Sequence, residues 1–241
     1  MLPFPPARTS AGFVPVSWSR AARRAGSLLL DLLYPPRCAG CGTLDTTWCP
    51  RCNAAFDDLS GPFALNAPPP LQAAWTARTH DGVPRQMVHA LKYESCHAMA
   101  GALAIPMAEA IESAGWTGFT LIPVPLHHTR LRERGYNQAE WLADSVAALT
   151  GLECLPYGLV RTRSTAHQVG ASAAERRANM EGAFISGKDA LNGHSVILVV
   201  DVFTTGATLC ASAQAALAGG ATSVVSLTAT AARAGAQTAP P

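Results

Sequence analysis

The sequence predicts an α/β fold, a parallel sheet flanked by helices, with a small cysteine-built module ahead of it. Three observations predict it. The run Val196-Ile-Leu-Val-Val-Asp201 is apolar over strand length and ends in one acid, as a strand buried on both faces of a parallel sheet does. A Thr204-Thr205-Gly206-Ala207-Thr208 turn follows at once, and the alanine-rich helical pattern from Leu209 to Leu217 stops at Gly219-Gly220. Upstream, four cysteines crowd into Cys38-Ala-Gly-Cys41 and Cys49-Pro-Arg-Cys52 within a loop-rich stretch.

A chain of 241 residues holds one medium domain and a small accessory module. With 49% hydrophobic and 14% charged residues, it has the balance of a well-buried core rather than of disorder. The net charge of +2 is too small to demand a nucleic-acid partner. Arginine greatly outnumbers lysine, Lys92 and Lys188 being the only lysines. No run is long enough to cross a bilayer. The stretch Ser27 to Tyr34, preceded by Arg20, Arg23 and Arg24, superficially suggests a signal peptide. Asp31 interrupts it and Pro35-Pro36-Arg37 is a poor cleavage context. Trp18 to Tyr34 reads instead as an amphipathic helix closing an N-terminal segment, 1–34, and the expected location is cytoplasmic.

The cysteine module spans 35–58. Two two-residue knuckles separated by Gly42 to Trp48 present four thiolates at a spacing that closes a tetrahedral zinc site. Gly40 and Gly42 sit where knuckle turns need small residues, and Arg37 and Arg51 are close enough to moderate the charge of the centre. A redox pair would bring one such motif at the start of a helix, not two. With all four positions taken by Cys38, Cys41, Cys49 and Cys52, the expected metal is structural. It supplies folding energy to a segment too short to form a core.

The body of the chain, 72–233, follows in order. Ser60 to Pro70, rich in proline and glycine, reads as a linker into it. Ala73 to Thr79 reads as a strand, Asp81-Gly82 as a turn, and Val83 to Tyr93 as a short helix ending in Leu91-Lys92-Tyr93. His97 to Ala114 is apolar on most faces, a buried helix that Pro106 should kink and Gly115 should end. His89 and His97 lie away from any ligand cluster and read as surface or core residues. Phe119 to Val124 is a second buried strand, running into Pro123-Val-Pro125-Leu126. Asn137, with Glu140 three residues on, caps a helix from Asn137 to Thr150 that Gly151 ends.

Three segments carry candidate chemistry. The strand, turn and helix around Asp201 form an anion site. The loop amides and the positive end of the helix dipole converge on a phosphate. The hydroxyls of Thr204, Thr205 and Thr208 add hydrogen bonds, Gly206 lets the backbone approach closely, and Ala207 completes the phosphate-binding turn. Asp201 is placed to accept from ribose hydroxyls. The second segment is the basic loop from His127 to Gln138, at the carboxyl end of a strand, where open α/β sheets bind ligands. Its Arg130, Arg132 and Arg134 suit a diphosphate through their planar forks, although the spacing equally suits a solvated loop. The third runs from Arg161 and Arg163 through Thr165, His167 and Gln168 to Glu175 and Phe184. It has the character of a mobile active-site loop.

The segment Val196 to Leu209 resembles the phosphoribosyl diphosphate (PRPP) binding motif of the type I phosphoribosyltransferase fold. Ordered together, the pieces resemble the ComF family of competence-associated proteins. They are the cysteine knuckles, Lys92-Tyr93, Ile122 to Leu126, Arg134-Gly135-Tyr136-Asn137-Gln138, Arg161 to Gln168, Glu175 to Phe184, and Asp201 to Thr208. The resemblance spans residues 28 to 232. It implies a type I phosphoribosyltransferase-like sheet and a role in natural transformation, with single-stranded DNA and other competence proteins as partners. Lys92, Arg130, Arg134, Asn137, Gln138, Arg161 and Arg163 become candidate diphosphate or DNA contacts. An active transferase moving ribose 5-phosphate from PRPP to a nucleobase-like acceptor, with Mg²⁺, is the alternative. A scaffold using the cysteine module is a third.

One departure from the family pattern stands inside the motif, and one difference from other phosphoribosyltransferases stands beside it. Relatives usually carry two adjacent acids here, and Val200 replaces the first. Thr204 stands where many purine-salvage members have an aspartate, and a threonine cannot take a proton near neutral pH. Metal analysis of freshly purified, reduced protein should find one zinc per chain, and Cys38→Ser or Cys49→Ser should abolish it and lower solubility. Zinc-free protein of full solubility would contradict the assignment.

Overall fold

The computed structural model describes residues 35–163, 179–187 and 190–232. The chain divides into two compact units, Met1–Pro36 and Arg37–Pro241. The expected helix Trp18 to Tyr34 lies outside the described residues, as do Thr165, His167, Gln168 and Glu175.

The cysteine segment leads into helix α1 (Pro50–Asp57). The sheet is built from β1 (Phe63–Leu65), β2 (Ala74–Thr79), β3 (Thr120–Pro123), β6 (Ser195–Phe203) and β7 (Ser223–Ala231). A hairpin of β4 (Val160–Arg161) and β5 (Phe184–Ile185) stands apart from it. The helices are α2 (Gly82–Tyr93), α3 (Ala98–Ala114), α4 (His128–Arg134), α5 (Gln138–Thr150) and α6 (Ala207–Ala218).

The five strands are ordered β1-β2-β7-β6-β3. All neighbours are parallel except β1, which pairs antiparallel with β2. This is the mostly parallel, helix-flanked sheet the sequence predicts. β6 lies inside the sheet, between β7 and β3, and both its faces are apolar. Ile197 and Val199 point into a core with Met87, Leu91, Met99, Leu103, Met107 and Leu142, from α2, α3 and α5. Val196, Leu198 and Val200 point the other way, into a core with Leu159, Leu191, Leu209, Ala213 and Ala216. The two-residue period of the strand makes this division. It also turns Asp201 toward the α2 and α5 side and Val200 toward α6.

The sequence-based reading does not contain β1, β7 or a helix within the basic loop. The linker contains edge strand β1, whose Leu65 is buried against β2. β7, rich in Val and Thr, is a full central strand paired with both β2 and β6; its mixed composition carries no clean alternation because both faces are covered. The basic loop winds into α4, capped by the His127 imidazole, which accepts from the Thr129 amide at 3.4 Å, and ended by Gly135 in the left-handed region. Pro106 lies buried within α3, which continues through it to Gly115, a left-handed C-cap as expected. Asn137 caps α5, its side chain accepting from the Ala139 amide at 3.1 Å, and Gly151 ends that helix.

The cysteine segment does not stand free of the sheet domain. Phe56, on the last turn of α1, is 3% exposed and belongs to the core shared by α2 and α3. The guanidinium of Arg78 on β2 lies 5.1 Å over its ring, and Trp48 meets it edge-on at 6.3 Å. Phe56→Ala should therefore cost about 3–5 kcal/mol and lower the denaturant midpoint of the whole unit in a single transition. Loss of the cysteine segment alone, with the sheet domain's transition unmoved, would show that the two are uncoupled.

Candidate functional site

The first cluster is the cysteine set. The sulfurs of Cys38, Cys41, Cys49 and Cys52 all lie within 4.8 Å of one another, three of the residues buried and Cys41 exposed. Backbone amides converge on them. Gly40 and Cys49 donate to Cys38 Sγ at 3.4 and 3.3 Å, and Cys52 donates to Cys49 Sγ at 3.4 Å. A Cβ on Gly40 would come within 2.5 Å of Cys52 Sγ, so only glycine closes this knuckle. Hydrogen bonding from the Thr43 side chain and amide lowers the Cys41 thiol to about 6. Burial pushes Cys38 up, but the amides of Cys49, Gly40 and Cys41 outweigh it and hold that thiol below its ordinary value. Burial and the neighbouring thiols raise Cys52 instead. Thiolates this crowded call for a cation, and the donor set can hold a metal ion.

The second cluster lies at the carboxyl ends of β3 and β6. A cleft of about 830 Å³ opens there, bordered by Lys92 and Tyr93 from α2, Arg130 and Arg134 from α4, Tyr136 and Gln138 ahead of and within α5, Arg161, and Val200, Asp201 and Thr208. A smaller hollow of about 120 Å³ follows the chain from Val200 to Leu209, and Val200, Asp201 and Thr208 border both. Thr204, Thr205, Gly206 and Ala207 line only the hollow. Gly206, at φ +73°, is the N-cap of the twelve-residue α6, and no side chain caps that helix. Its first amides are left to a ligand or water, at the positive end of the helix dipole.

Asp201 is 8% exposed, and both of its oxygens meet donors from the protein. Its Oδ2 meets Lys92 Nζ at 2.7 Å and accepts from Gln138 Nε2 at 3.1 Å, while Oδ1 accepts from the Val202 amide at 2.8 Å. Arg134 donates to Gln138 Oε1 and lies over the Tyr93 ring at 5.6 Å. Arg161 lies over Phe184 at 5.4 Å. Burial pushes the Arg161 guanidinium below its ordinary value, and the charge of Arg130 acts in the same direction. Burial, then the charges of His128, Arg161 and Arg132, similarly depress His127. Behind burial, neighbouring positive charge contributes to both shifts, and such a cluster of cations favours an anion.

No family model matches the chain. The DNA utilization protein YhgH of Escherichia coli O157:H7 is 31% identical over 194 residues, 78% of this chain and 85% of that protein. Competence protein F of Haemophilus influenzae is 41% identical over 91 residues, 37% of this chain and 40% of that one. Competence protein ComFC of Bacillus subtilis is 35% identical over 112 residues, 45% of this chain and 42% of its own. The chain belongs to the ComF family. Among solved structures, it is similar to the glutamine PRPP amidotransferase from B. subtilis complexed with ADP and GMP. The TM-score is 0.39 and the identity 18%, over 56% of this chain and 26% of that one.

Within this ComF protein the residues singled out from sequence part into three groups. Lys92, Arg130, Arg134, Gln138, Arg161, Asp201 and Thr208 meet at the cleft, and Thr204 to Ala207 at the adjoining hollow. Asn137 does not border the cleft. It is 2% exposed, caps α5 and donates to the Val124 carbonyl at 3.2 Å. Its role is to join β3 to α5. Arg163 also lies off the cleft, donating to the carbonyls of Asn179 and Glu181 at 3.0 and 2.8 Å and closing the β4–β5 hairpin. Tyr136 borders the cleft with one face stacked on Trp141 at 3.8 Å, and its hydroxyl donates to the Leu91 carbonyl at 2.8 Å. Sequence reasoning missed the Lys92–Asp201 ion pair and the presence of Tyr93 and Glu133 at the rim. The pair joins residues 109 positions apart, and no periodicity signals it.

Gly206 answers to two constraints, its left-handed backbone and a Cβ position 2.8 Å from the Pro68 ring. Gly206→Ala should cost about 1–3 kcal/mol in urea unfolding. An unchanged midpoint would show that the turn relaxes freely.

Proposed function

We propose that this ComF protein acts in DNA uptake on the cytoplasmic side of the membrane, binding a phosphorylated ribose ligand or single-stranded DNA in the cleft. The observation that carries the reading is Asp201, held between Lys92 and Gln138 beside an uncapped helix N-terminus. Phosphates would lie against the Thr204 to Thr208 turn, with Arg130, Arg134 and Arg161 on the rim. Asp201 keeps acceptor capacity for a ribose hydroxyl. The relatives' names, DNA utilization and competence, support the DNA-uptake part of this reading.

The four cysteines would hold zinc. A Zn(Cys)₄ centre, when bound, supplies folding energy and leaves no open position for catalysis. Here Cys49 also caps α1, so the metal would steady the helix that delivers Phe56 to the core. The functional division would be a 1–34 segment, a 35–58 zinc module and a 72–233 ligand-binding domain, with other competence proteins as partners. No helix among the described residues is long and apolar enough to cross a membrane.

Phosphoribosyl transfer is the second reading, favoured by the turn and Asp201, with Mg²⁺ accompanying PRPP. Val200 offers no oxygen to that chemistry, and Thr204 offers no base.

Arg134→Glu should weaken single-stranded DNA binding and make its logarithmic salt dependence shallower by at least about one unit, since each phosphate contact releases counterions. An unchanged slope would remove the cleft from the DNA path. Base-dependent PRPP consumption by the wild type would promote the transferase reading instead.

A further inference from the structure

Resting on the ribose-phosphate reading, we infer that the cleft takes its anionic ligand without a divalent cation, and that Lys92 is the resident cation in its place. A metal of the Mg²⁺ class needs near-octahedral oxygen coordination, usually with one or two carboxylates from the protein. Among the described residues the cleft is lined by two carboxylates, the exposed Glu133 at its rim and Asp201 at its floor, and the Asp201 oxygens are already engaged by Lys92, Gln138 and the Val202 amide. A carboxylate has roughly four acceptor positions, so about one is left, enough for a ligand hydroxyl and not for a metal's share. The preceding residue cannot help. Val200 is an isopropyl group whose side chain belongs to the opposite core, with Leu198 and Leu209.

Charge points the same way. A dication at Asp201 Oδ2 would sit against the Lys92 ammonium, 2.7 Å from that oxygen, and like charges at such range repel strongly. Lys92 is well placed to stand in for it. It ends α2, where the helix dipole favours a cation, and its side chain is 23% exposed, open to the cleft on one side. A lysine presents a compact point charge, nearer to a metal ion than a guanidinium fork is. Among the described lining residues the cleft sets Lys92, Arg130, Arg134 and Arg161 against Asp201 and Glu133, an excess of positive charge that suits a free phosphate ester. A Mg²⁺-chelated ligand brings its phosphates partly neutralised and loses part of that attraction.

Two titrations of the full chain, in buffer free of chelator so that metal at the cysteines is kept, test this. Mn²⁺ alone, followed by electron paramagnetic resonance of the free ion, should show no site in the wild type that Asp201→Asn removes. The double variant Lys92→Ala/Val200→Asp should gain one. In calorimetry, PRPP should bind the wild type no more tightly with Mg²⁺ than in magnesium-depleted buffer. Lys92→Ala should lose about tenfold or more in affinity, the size of one charge-assisted contact, and recover part of it with Mg²⁺. A wild-type Mn²⁺ site lost in Asp201→Asn would overturn the inference, as would a gain of about tenfold or more in PRPP affinity on adding Mg²⁺. PRPP that binds in neither buffer would overturn the ribose-phosphate reading, and the Mn²⁺ titration would then decide the role of Lys92 by itself.

Discussion

Asp201 brings a negative charge to the end of a buried strand, where a carboxylate is costly unless charged and hydrogen-bonded partners meet it. The partners come from two different helices. Lys92 arrives at the end of α2 and Gln138 at the start of α5, and both reach the same oxygen. The strand, the two helices and the turn that follows therefore share one geometry, and a shift of any of them would leave a charge unpaired. Arg134, donating to Gln138, extends the constraint to α4. The arrangement builds the floor and one wall of the cleft from a single polar network.

A second part of the domain is organised by sulfur. Four cysteines, two knuckles and a short helix have too little apolar surface to fold by burial alone. Backbone amides aimed at Cys38 and Cys49 preorganise the thiolates, and Phe56 transmits the result to the main core. Arg78, 7% exposed, lies over that ring and donates to the Ala77 carbonyl. The cysteine segment and the sheet thus share packing, and the stability of either depends on the other.

Around the cleft, polar residues divide by what they touch. Asn137 and Arg163 engage the protein's own backbone and set the positions of α5 and the β4–β5 hairpin. Arg130 and Arg161 both border the cleft, and the charge of Arg130 adds to burial in holding the Arg161 guanidinium below its ordinary value, which suits a bound anion. Tyr136 holds α5 to α2 through its hydroxyl while Trp141 covers one face of its ring. Similar residue types, a few positions apart, do different work because different backbone groups lie within reach.

Local signals carried much of this from sequence alone. The apolar run into Asp201, the glycine stops at Gly115 and Gly151, the Asn137 cap and the paired cysteine knuckles each depend on a few neighbouring residues, so they are legible without the fold. Their combination also carried the ComF resemblance. Edge strand β1 was hidden by prolines and β7 by a mixed composition, since pairing across the sheet, not local pattern, makes them strands. The basic loop hid a helix too short for periodicity to reveal. What tertiary structure alone decided is which side of β6 each residue faces and who meets it there. The register of the parallel sheet turns Val200 into an apolar core and Asp201 toward Lys92, and that pairing across 109 residues is set by packing, which no local stretch of sequence encodes.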